Sequence, residues 1–149
     1  MAKNKTFKAK KYFQSRVVLD ASILLKVFFK EEGSKEIEKL FKMAKKKQLT
    51  IITPSLIKFE VLNSLAKNIK DLTKVTERVK KFQRLDLMIM EPENKSTMEA
   101  LKEATLKKNV TYYDASYHAL AKDFDATFIT ADKKYFDSVE NKENIELFA

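Results

Sequence analysis

Short apolar runs separated by longer helical patterns constrain the fold of this chain most. Runs of four residues, rich in β-branched and apolar side chains, recur at 16–19, 49–52, 87–90, 127–130 and 145–148. Runs that are apolar at successive positions are typical of parallel strands buried on both faces. The alternation predicts an α/β fold, in which right-handed crossovers place helices on both faces of a parallel sheet of four or five strands.

Charge divides the chain into an N-terminal arm and one domain. The sequence holds 30 Lys and Arg against 21 Asp and Glu, and residues 1–15 contain five lysines and no acid. We therefore predict a flexible basic arm over 1–15, acting as a solubilising extension or as an RNA contact, and a single domain over 16–149. A net charge of +9 favours polyanionic partners such as nucleic acid.

Composition excludes several classes of active site. No cysteine is present, which rules out disulfides, thiolate metal sites and cysteine nucleophiles. The single glycine, Gly33, excludes glycine-rich phosphate loops, and the single histidine, His118, argues against zinc sites rich in histidine and against a Ser-His-Asp triad. We see neither a membrane-spanning run nor a signal peptide, and expect a cytoplasmic protein. An enzyme of this composition must work mainly with carboxylates.

Four acidic residues are predicted near the carboxyl edge of the sheet. Asp20 and Asp132 come just past the first and fourth strands, whereas Glu60 and Asp114 lie in early turns of helices. Open α/β sheets place their ligand crevice at this edge. One acid at a helix start is ordinary, because the helix dipole favours it. Four such acids together raise one another's pKa or require a cation.

An all-oxygen cluster of this kind suits Mg²⁺ or Mn²⁺. Such ions can hold a phosphodiester, lower the pKa of a bound water and stabilise an in-line displacement. The acids therefore indicate metal-dependent chemistry on a nucleic acid. The alternative for each is a structural role, and it is strongest for Asp132, because a Thr-x-Asp sequence before a helix also makes an ordinary N-cap.

Other residues near these acids have structural interpretations. We expect His118, one turn after Asp114, to be packed and hydrogen-bonded rather than catalytic. The tyrosine pair at 112–113 is expected in core packing or a dimer contact, with stacking on RNA bases as the alternative. Asn63 shares the helix face of Glu60, and we expect a solvated or helix-packing amide there.

Two helix starts are predicted from capping signals. Thr53 before Pro54 predicts an N-cap followed by proline at the first helical position. The sequence from Ser96 to Glu99 matches a capping box and predicts a helix that runs to about residue 108. The apolar stretches at 56–65 and 75–82 fit either core helices or an oligomer face.

Four separated blocks of the sequence resemble the PIN domain family, and most of all its small VapC-type toxins. The blocks are LDAS at 19–22, PSLIKFE at 54–60, YDASYHALA at 113–121 and TADKKYF at 130–136. The resemblance extends from about residue 16 to the end, and the order and spacing of the blocks make it specific. The basic arm is a departure, because many members begin almost directly at the first strand.

The resemblance implies an αβα sandwich and a metal-dependent endoribonuclease that cuts single-stranded RNA, as the toxin of a type II toxin–antitoxin pair. It also implies a homodimer and a cognate antitoxin as partners. The family's four acidic site residues match Asp20, Glu60, Asp114 and Asp132. Ser22 and Thr130 match small hydroxyl positions beside them, which we expect to bond the carboxylates or an ion-bound water. The alternatives are an RNA-processing nuclease with the same site, and a non-catalytic module that binds RNA or a partner.

Overall fold

The computed structural model describes residues 6–148, in which the short apolar runs form a five-stranded parallel sheet. Every strand pairs with its neighbours in parallel, in the order β3-β2-β1-β4-β5. The strands are β1 (Arg16–Leu19), β2 (Thr50–Thr53), β3 (Leu87–Ile89), β4 (Thr127–Thr130) and β5 (Ile145–Leu147). The predicted α/β fold is confirmed, with five strands.

Seven α-helices within residues 6–148 cover the two faces of this sheet. They are α1 (Ala21–Phe28), α2 (Ser34–Lys45), α3 (Leu56–Asn68), α4 (Leu72–Gln83), α5 (Asn94–Leu106), α6 (Tyr112–Asp123) and α7 (Lys133–Ser138). The chain moves from β1 to β3 in one direction and then returns to β4 and β5, so right-handed crossovers place α1–α4 on one face and α5–α7 on the other. Helix α6 packs on β1, β2 and β4, and α5 packs on α6.

The core lies on both sides of the three central strands. Val17, Val18 and Leu19 of β1 are fully buried, and their neighbours Ile52 and Phe128 are buried as well. Burial of each such side chain stabilises the fold by about 1.5–3 kcal/mol. Because β1 is buried on both faces, the residue that follows it enters a protected environment. Within residues 6–148, no helix combines the length and the apolar character that crossing a bilayer requires.

The described part of the N-terminal arm, residues 6–15, is packed rather than flexible. Phe7, Ala9 and Tyr12 are buried, and Ala9–Tyr12 forms a 3-10 turn. The Phe7 ring lies 4.7 Å from that of Phe148, and the Ala9 amide donates to Glu36 Oε2 at 2.9 Å. The prediction of a flexible arm is wrong for this part, because the lysine count obscured three apolar residues that anchor the segment. Residues 1–5 of the predicted arm lie outside the described residues.

Both predictions of helix starts are wrong, because tertiary contacts take the capping residues. Thr53 pairs with β3 as the last residue of β2, and α3 begins after Ser55. Helix α5 begins two residues before Ser96, whose hydroxyl donates to Asp123 at the end of α6. Local capping signals therefore identified these helices but misplaced their first residues.

Candidate active site at the carboxyl edge of the sheet

The chain leaves β1 and β4 toward opposite faces of the sheet, although the two strands are neighbours. A crevice forms at the carboxyl edge wherever a parallel sheet reverses in this way. Asp20 follows β1 directly and Asp132 follows β4 by two residues, while α3 and α6 bring Glu60 and Asp114. The structure therefore places all four predicted acids at one edge of the sheet.

Asp20 is the most constrained of the four, with 7% of its surface exposed. As the N-cap of α1, its Oδ1 accepts from the Ser22 hydroxyl and from the Ile23 amide at 3.2 Å. Its Oδ2 accepts from the Thr130 hydroxyl at 2.6 Å. The pKa of Asp20 is raised to about 6, because burial and, to a smaller extent, the charge of Asp114 outweigh the lowering by these three hydrogen bonds.

Asp114 is held in the first turn of α6 by a reciprocal cap. The Asp114 amide donates to Thr111 Oγ1 at 3.1 Å, and the Thr111 hydroxyl donates back to Asp114 Oδ2 at 2.9 Å. Burial raises the pKa of Asp114, the hydroxyl lowers it, and the nearby charge of Asp132 raises it again. This carboxylate therefore interacts with the other acids while its own rotamer is fixed.

Glu60 reaches the edge from α3 and is held from the other side of the sheet. The hydroxyl of Tyr117, on α6, donates to Glu60 Oε1 at 2.6 Å. Burial raises the pKa of Glu60, this hydrogen bond lowers it, and the charge of Asp114 raises it. Asp114 thus faces the charges of Asp20, Glu60 and Asp132.

Asp132 has a structural role as a helix cap. It is the N-cap of α7, and its Oδ1 accepts from the Tyr135 amide at 3.0 Å. Its own amide donates to Thr130 Oγ1 at 3.0 Å, so Thr130 connects Asp132 with Asp20. The N-cap alternative raised by the sequence describes this local geometry, while the charge of Asp132 still acts on Asp114.

Asp114 repels each of the other three carboxylates, but the four do not form a preformed metal-binding site. Among residues 6–148, no three His, Cys, Asp or Glu side chains are grouped so that they could hold one ion. That all four acids share one ion stays a prediction. The donors nevertheless fit Mg²⁺ or Mn²⁺, because they are all oxygen, their mutual repulsion favours a cation, and Mg²⁺ binds through one or two carboxylates and several waters.

Two grooves open beside these acids. One, of about 480 Å³, lies between α1 and α3, and its lining includes Ser22, Lys26 and Ala131. The other, of about 240 Å³, lies beside the starts of α3 and α6, and its lining includes Phe59 and Tyr113. These aromatic side chains directly precede the acids of α3 and α6 and are 69% and 57% exposed.

Three other features singled out in the sequence are His118, the tyrosine pair at 112–113 and Asn63. His118 is buried, its Nε2 donates to the Glu143 carbonyl at 2.8 Å, and its Nδ1 accepts from the Tyr135 hydroxyl at 3.1 Å. Burial lowers the pKa of His118 to about 4. The prediction of a packed, hydrogen-bonded histidine is confirmed. Tyr112 contacts the core as expected, whereas Tyr113 is exposed, so core packing is wrong for Tyr113 and a dimer contact or base stacking stays its prediction. Asn63 is exposed, as expected of a solvated amide.

The sequence from residue 17 to residue 142 matches the model of the PIN domain family. The chain belongs to the PIN domain family. The match covers every strand except β5, together with all four acids of the carboxyl edge. PIN domains are typically nucleases. No curated protein sequence matches this chain.

Solved structures of VapBC complexes contain chains with the same fold as this PIN domain. A chain of VapBC2 from Rickettsia felis, bound to promoter DNA, is 19% identical with a TM-score of 0.65, over 90% of this chain and 99% of that chain. For DNA-bound VapBC from Salmonella typhimurium the identity is 16% and the TM-score 0.66, over 91% and 100%. Mycobacterium tuberculosis VapC20, a toxin that cleaves the sarcin-ricin loop, gives 11% and 0.54, over 84% and 98%.

Two residues of this PIN domain site escaped the sequence reasoning. Thr111 with Asp114 has the Thr-x-x-Asp spacing of a reciprocal cap, which could have been read from the sequence. Tyr117 lies three residues after Asp114 and so shares its helix face. Nothing in the spacing indicates that its hydroxyl reaches Glu60, 57 residues earlier in the chain.

Proposed function

We propose that this PIN domain is a divalent-metal-dependent endoribonuclease that cuts single-stranded RNA. One observation carries the proposal: Asp20, Glu60 and Asp114, from three separate segments, lie at the switch-point edge of the sheet, where burial raises their pKa values and the charge of Asp114 adds to the rise at Asp20 and Glu60. Such crowding costs stability unless a cation or a positively charged ligand compensates it. Perturbed carboxylates in a crevice are typical of functional sites.

The carboxylates best placed to hold Mg²⁺ or Mn²⁺ are Asp20 and Asp114, with Glu60 and Asp132 acting directly or through water. A bound ion would supply positive charge against the phosphodiester and lower the pKa of the attacking water. Two hydroxyl-bearing residues, Ser22 and Thr111, each orient one of the two best-placed carboxylates. Fixed rotamers matter, because a site loses activity when its charged groups are free to turn away.

An RNA substrate agrees with the charge of the protein. The net charge of +9 attracts a polyanion toward a cluster that would otherwise repel it. Lys26 lies in the groove beside Ser22, where it can contact a phosphate that flanks the scissile one. Exposed Phe59 and Tyr113 offer aromatic surface to unpaired bases on the other side. VapC20, whose fold is similar, is a toxin that cleaves the sarcin-ricin loop, which supports a nuclease function for this fold.

We place this nuclease in a toxin–antitoxin pair, with a cognate antitoxin as its inhibitor. The similar VapBC folds support that assignment. Because the substrate is cellular RNA, the protein would act in the cytoplasm. A homodimer completes the proposal, and the exposed apolar side chains of Met98 and Leu101 on α5 provide surface for it. An RNA-processing nuclease with the same site is the second candidate.

Cleavage of a labelled single-stranded RNA in Mg²⁺ or Mn²⁺ tests the nuclease proposal. We expect the wild type to cut, and Asp20→Asn and Asp114→Asn to lose activity by about 100-fold or more, the scale of losing one transition-state contact. Asp71→Asn is the matched control, because Asp71 also caps a helix but lies on the surface. Equal cleavage by all four proteins would remove the acids from the mechanism.

Two further observations separate the alternatives. Growth arrest on expression, relieved by Asp20→Asn, is expected of a toxin, whereas unaffected growth with active enzyme favours an RNA-processing role. A small neighbouring gene that encodes an inhibitor would support the toxin. A non-catalytic module would instead bind RNA equally well in Mg²⁺ and in chelator and would never cut it.

A further inference from the structure

Tyr117 joins the two helical layers at the candidate site. Its side chain is 1% exposed, and its ring stacks on Phe128 of β4 with the ring centroids 5.8 Å apart. The hydroxyl donates to Glu60 Oε1 at 2.6 Å. Because Tyr117 belongs to α6 and Glu60 to α3, this hydrogen bond connects opposite faces of the sheet across its carboxyl edge.

Glu60 depends on this contact for its orientation. Among residues 6–148, Tyr117 is the one residue whose side chain donates a hydrogen bond to the Glu60 carboxylate. A glutamate side chain has three rotatable bonds. Glu60 is only partly buried, so without a hydrogen-bond partner its side chain would sample several rotamers. The phenol is rigid by comparison, because its ring is enclosed and stacked. The rigid partner therefore restricts the mobile one.

Each of the other acids of the site has at least one hydrogen-bond partner close along the chain: Ser22 for Asp20, Thr111 for Asp114 and the Tyr135 amide for Asp132. Glu60 has no neighbour on α3 that does this, and its partner lies 57 residues away. The charges of Glu60, Asp20 and Asp114 all act on the Tyr117 hydroxyl. The phenol thus lies within the electrostatic field of three of the four acids and not only beside Glu60.

We propose that Tyr117 is a positioning residue, which holds the Glu60 carboxylate in the orientation that a divalent ion and the RNA phosphate require. This inference rests on the nuclease function proposed above. Tyr117 acts through Glu60 in this proposal, because its side chain is 1% exposed and its hydroxyl proton is donated to Glu60. Outer partners of this kind typically change metal affinity or activity by about 10- to 100-fold when removed.

Tyr117→Phe removes the hydroxyl and keeps the ring, and Tyr135→Phe is the matched control. Tyr135 is equally buried, but its hydroxyl contacts His118 instead of an acid of the site. Calorimetric titration with Mn²⁺ in the absence of RNA reads the effect independently of cleavage. We expect Tyr117→Phe to bind Mn²⁺ about 10-fold or more weakly, and Tyr135→Phe to stay within about twofold of the wild type.

Cleavage measured against Mn²⁺ concentration provides a second readout. The half-saturating Mn²⁺ concentration should rise by the same factor in Tyr117→Phe, while the rate at saturating ion falls by less. A merely structural tyrosine would lower the amount of folded enzyme and leave the half-saturating concentration unchanged. In a Glu60→Gln background, Tyr117→Phe should have no further effect on Mn²⁺ affinity, because the residue acts through Glu60.

Wild-type Mn²⁺ affinity in Tyr117→Phe would overturn the inference and leave the nuclease function intact. A wild type that neither binds Mn²⁺ nor cuts RNA would overturn both. If Tyr117→Phe does not fold, Glu60→Asp carries the test, because it keeps the charge and withdraws the carboxylate from the phenol. Unchanged Mn²⁺ affinity in Glu60→Asp would then refute the positioning role.

Discussion

Replacing Asp20 by asparagine should stabilise this protein in the absence of metal. Burial raises the pKa of Asp20 from its ordinary value of 3.8 to about 6. At about 1.36 kcal/mol per pH unit, the ionised carboxylate costs about 3 kcal/mol at pH 7. Asparagine keeps an acceptor for Ser22 and Ile23 but cannot accept from Thr130, which costs about 1 kcal/mol. The net gain should be about 2 kcal/mol.

The pH dependence of this gain follows from the direction of the shift. The folded pKa of Asp20 lies above the unfolded one, so the unfolded chain releases its proton first as the pH rises. The wild type therefore loses stability between about pH 4 and pH 6, and the loss stays constant above that range. The advantage of Asp20→Asn should appear over the same range, and at pH 4 the variant should be slightly the less stable protein.

Urea unfolding in chelator, at pH 4 to 8, measures this difference in the free energy of unfolding. In thermal unfolding, a gain of about 2 kcal/mol corresponds to a rise in melting temperature of about 4 to 8 °C for a chain of this length. Asp71→Asn, at an exposed helix cap, should stay within about 0.5 kcal/mol of the wild type. Divalent ions should then stabilise the wild type more than Asp20→Asn.

A lower stability of Asp20→Asn than of the wild type at pH 7 and above would contradict a destabilising buried charge. A difference between the two proteins that is the same at pH 4 and pH 8 would also contradict it, because the cost would then not come from the ionised carboxylate. If Mn²⁺ stabilises both proteins equally, the charge of Asp20 still destabilises the fold, but Asp20 does not contribute to binding the ion.

Three further predictions concern other parts of the molecule. Thr130→Val removes a hydrogen bond to the charged Asp20 and should cost about 1.5–3 kcal/mol in chelator at pH 8, with a smaller loss at pH 4. Gly33→Ala should cost about 2 kcal/mol in urea unfolding, because φ is +84° and the new Cβ would lie 2.5 Å from the Phe148 ring. His118, the single histidine, should show no NMR titration between pH 5.5 and 8, since burial lowers its folded pKa to about 4. Because the unfolded chain takes up this proton first, the buried neutral His118 should make the folded protein less stable only as the pH falls from about 6.5 toward 4.

The order and type of the main elements could be predicted because they depend on local patterns. Runs such as VVL at 17–19 are apolar at successive positions, and only a strand buried on both faces satisfies them. The element boundaries were less accurate, because Thr53 and Ser96 find partners in distant segments. The prediction for the N-terminal arm was wrong for a related reason: its charge is visible in the sequence, but the contact between Phe7 and Phe148, at opposite ends of the chain, is not.

For the candidate site too, some features could be predicted from the sequence and others could not. Asp20 and Asp132 could be assigned to the carboxyl edge from their positions after predicted strands, and Glu60 and Asp114 from their positions in early turns of helices that follow strand ends. The spacing of the four charges could not be predicted, and neither could the hydrogen bond from Tyr117, since both depend on the strand order β3-β2-β1-β4-β5. Sequence patterns do not encode which strand lies beside which.

The sequence by itself determined that this chain forms a parallel α/β domain whose acids gather near one edge of a sheet. Hydrophobic periodicity is a property of neighbours along the chain, so it can be read without coordinates. Only the tertiary structure decided how deeply Asp20 is buried, which hydroxyls hold it and which helix steadies Glu60. Desolvation and hydrogen bonding arise between segments far apart in sequence, and these interactions set the charge that each acid can carry.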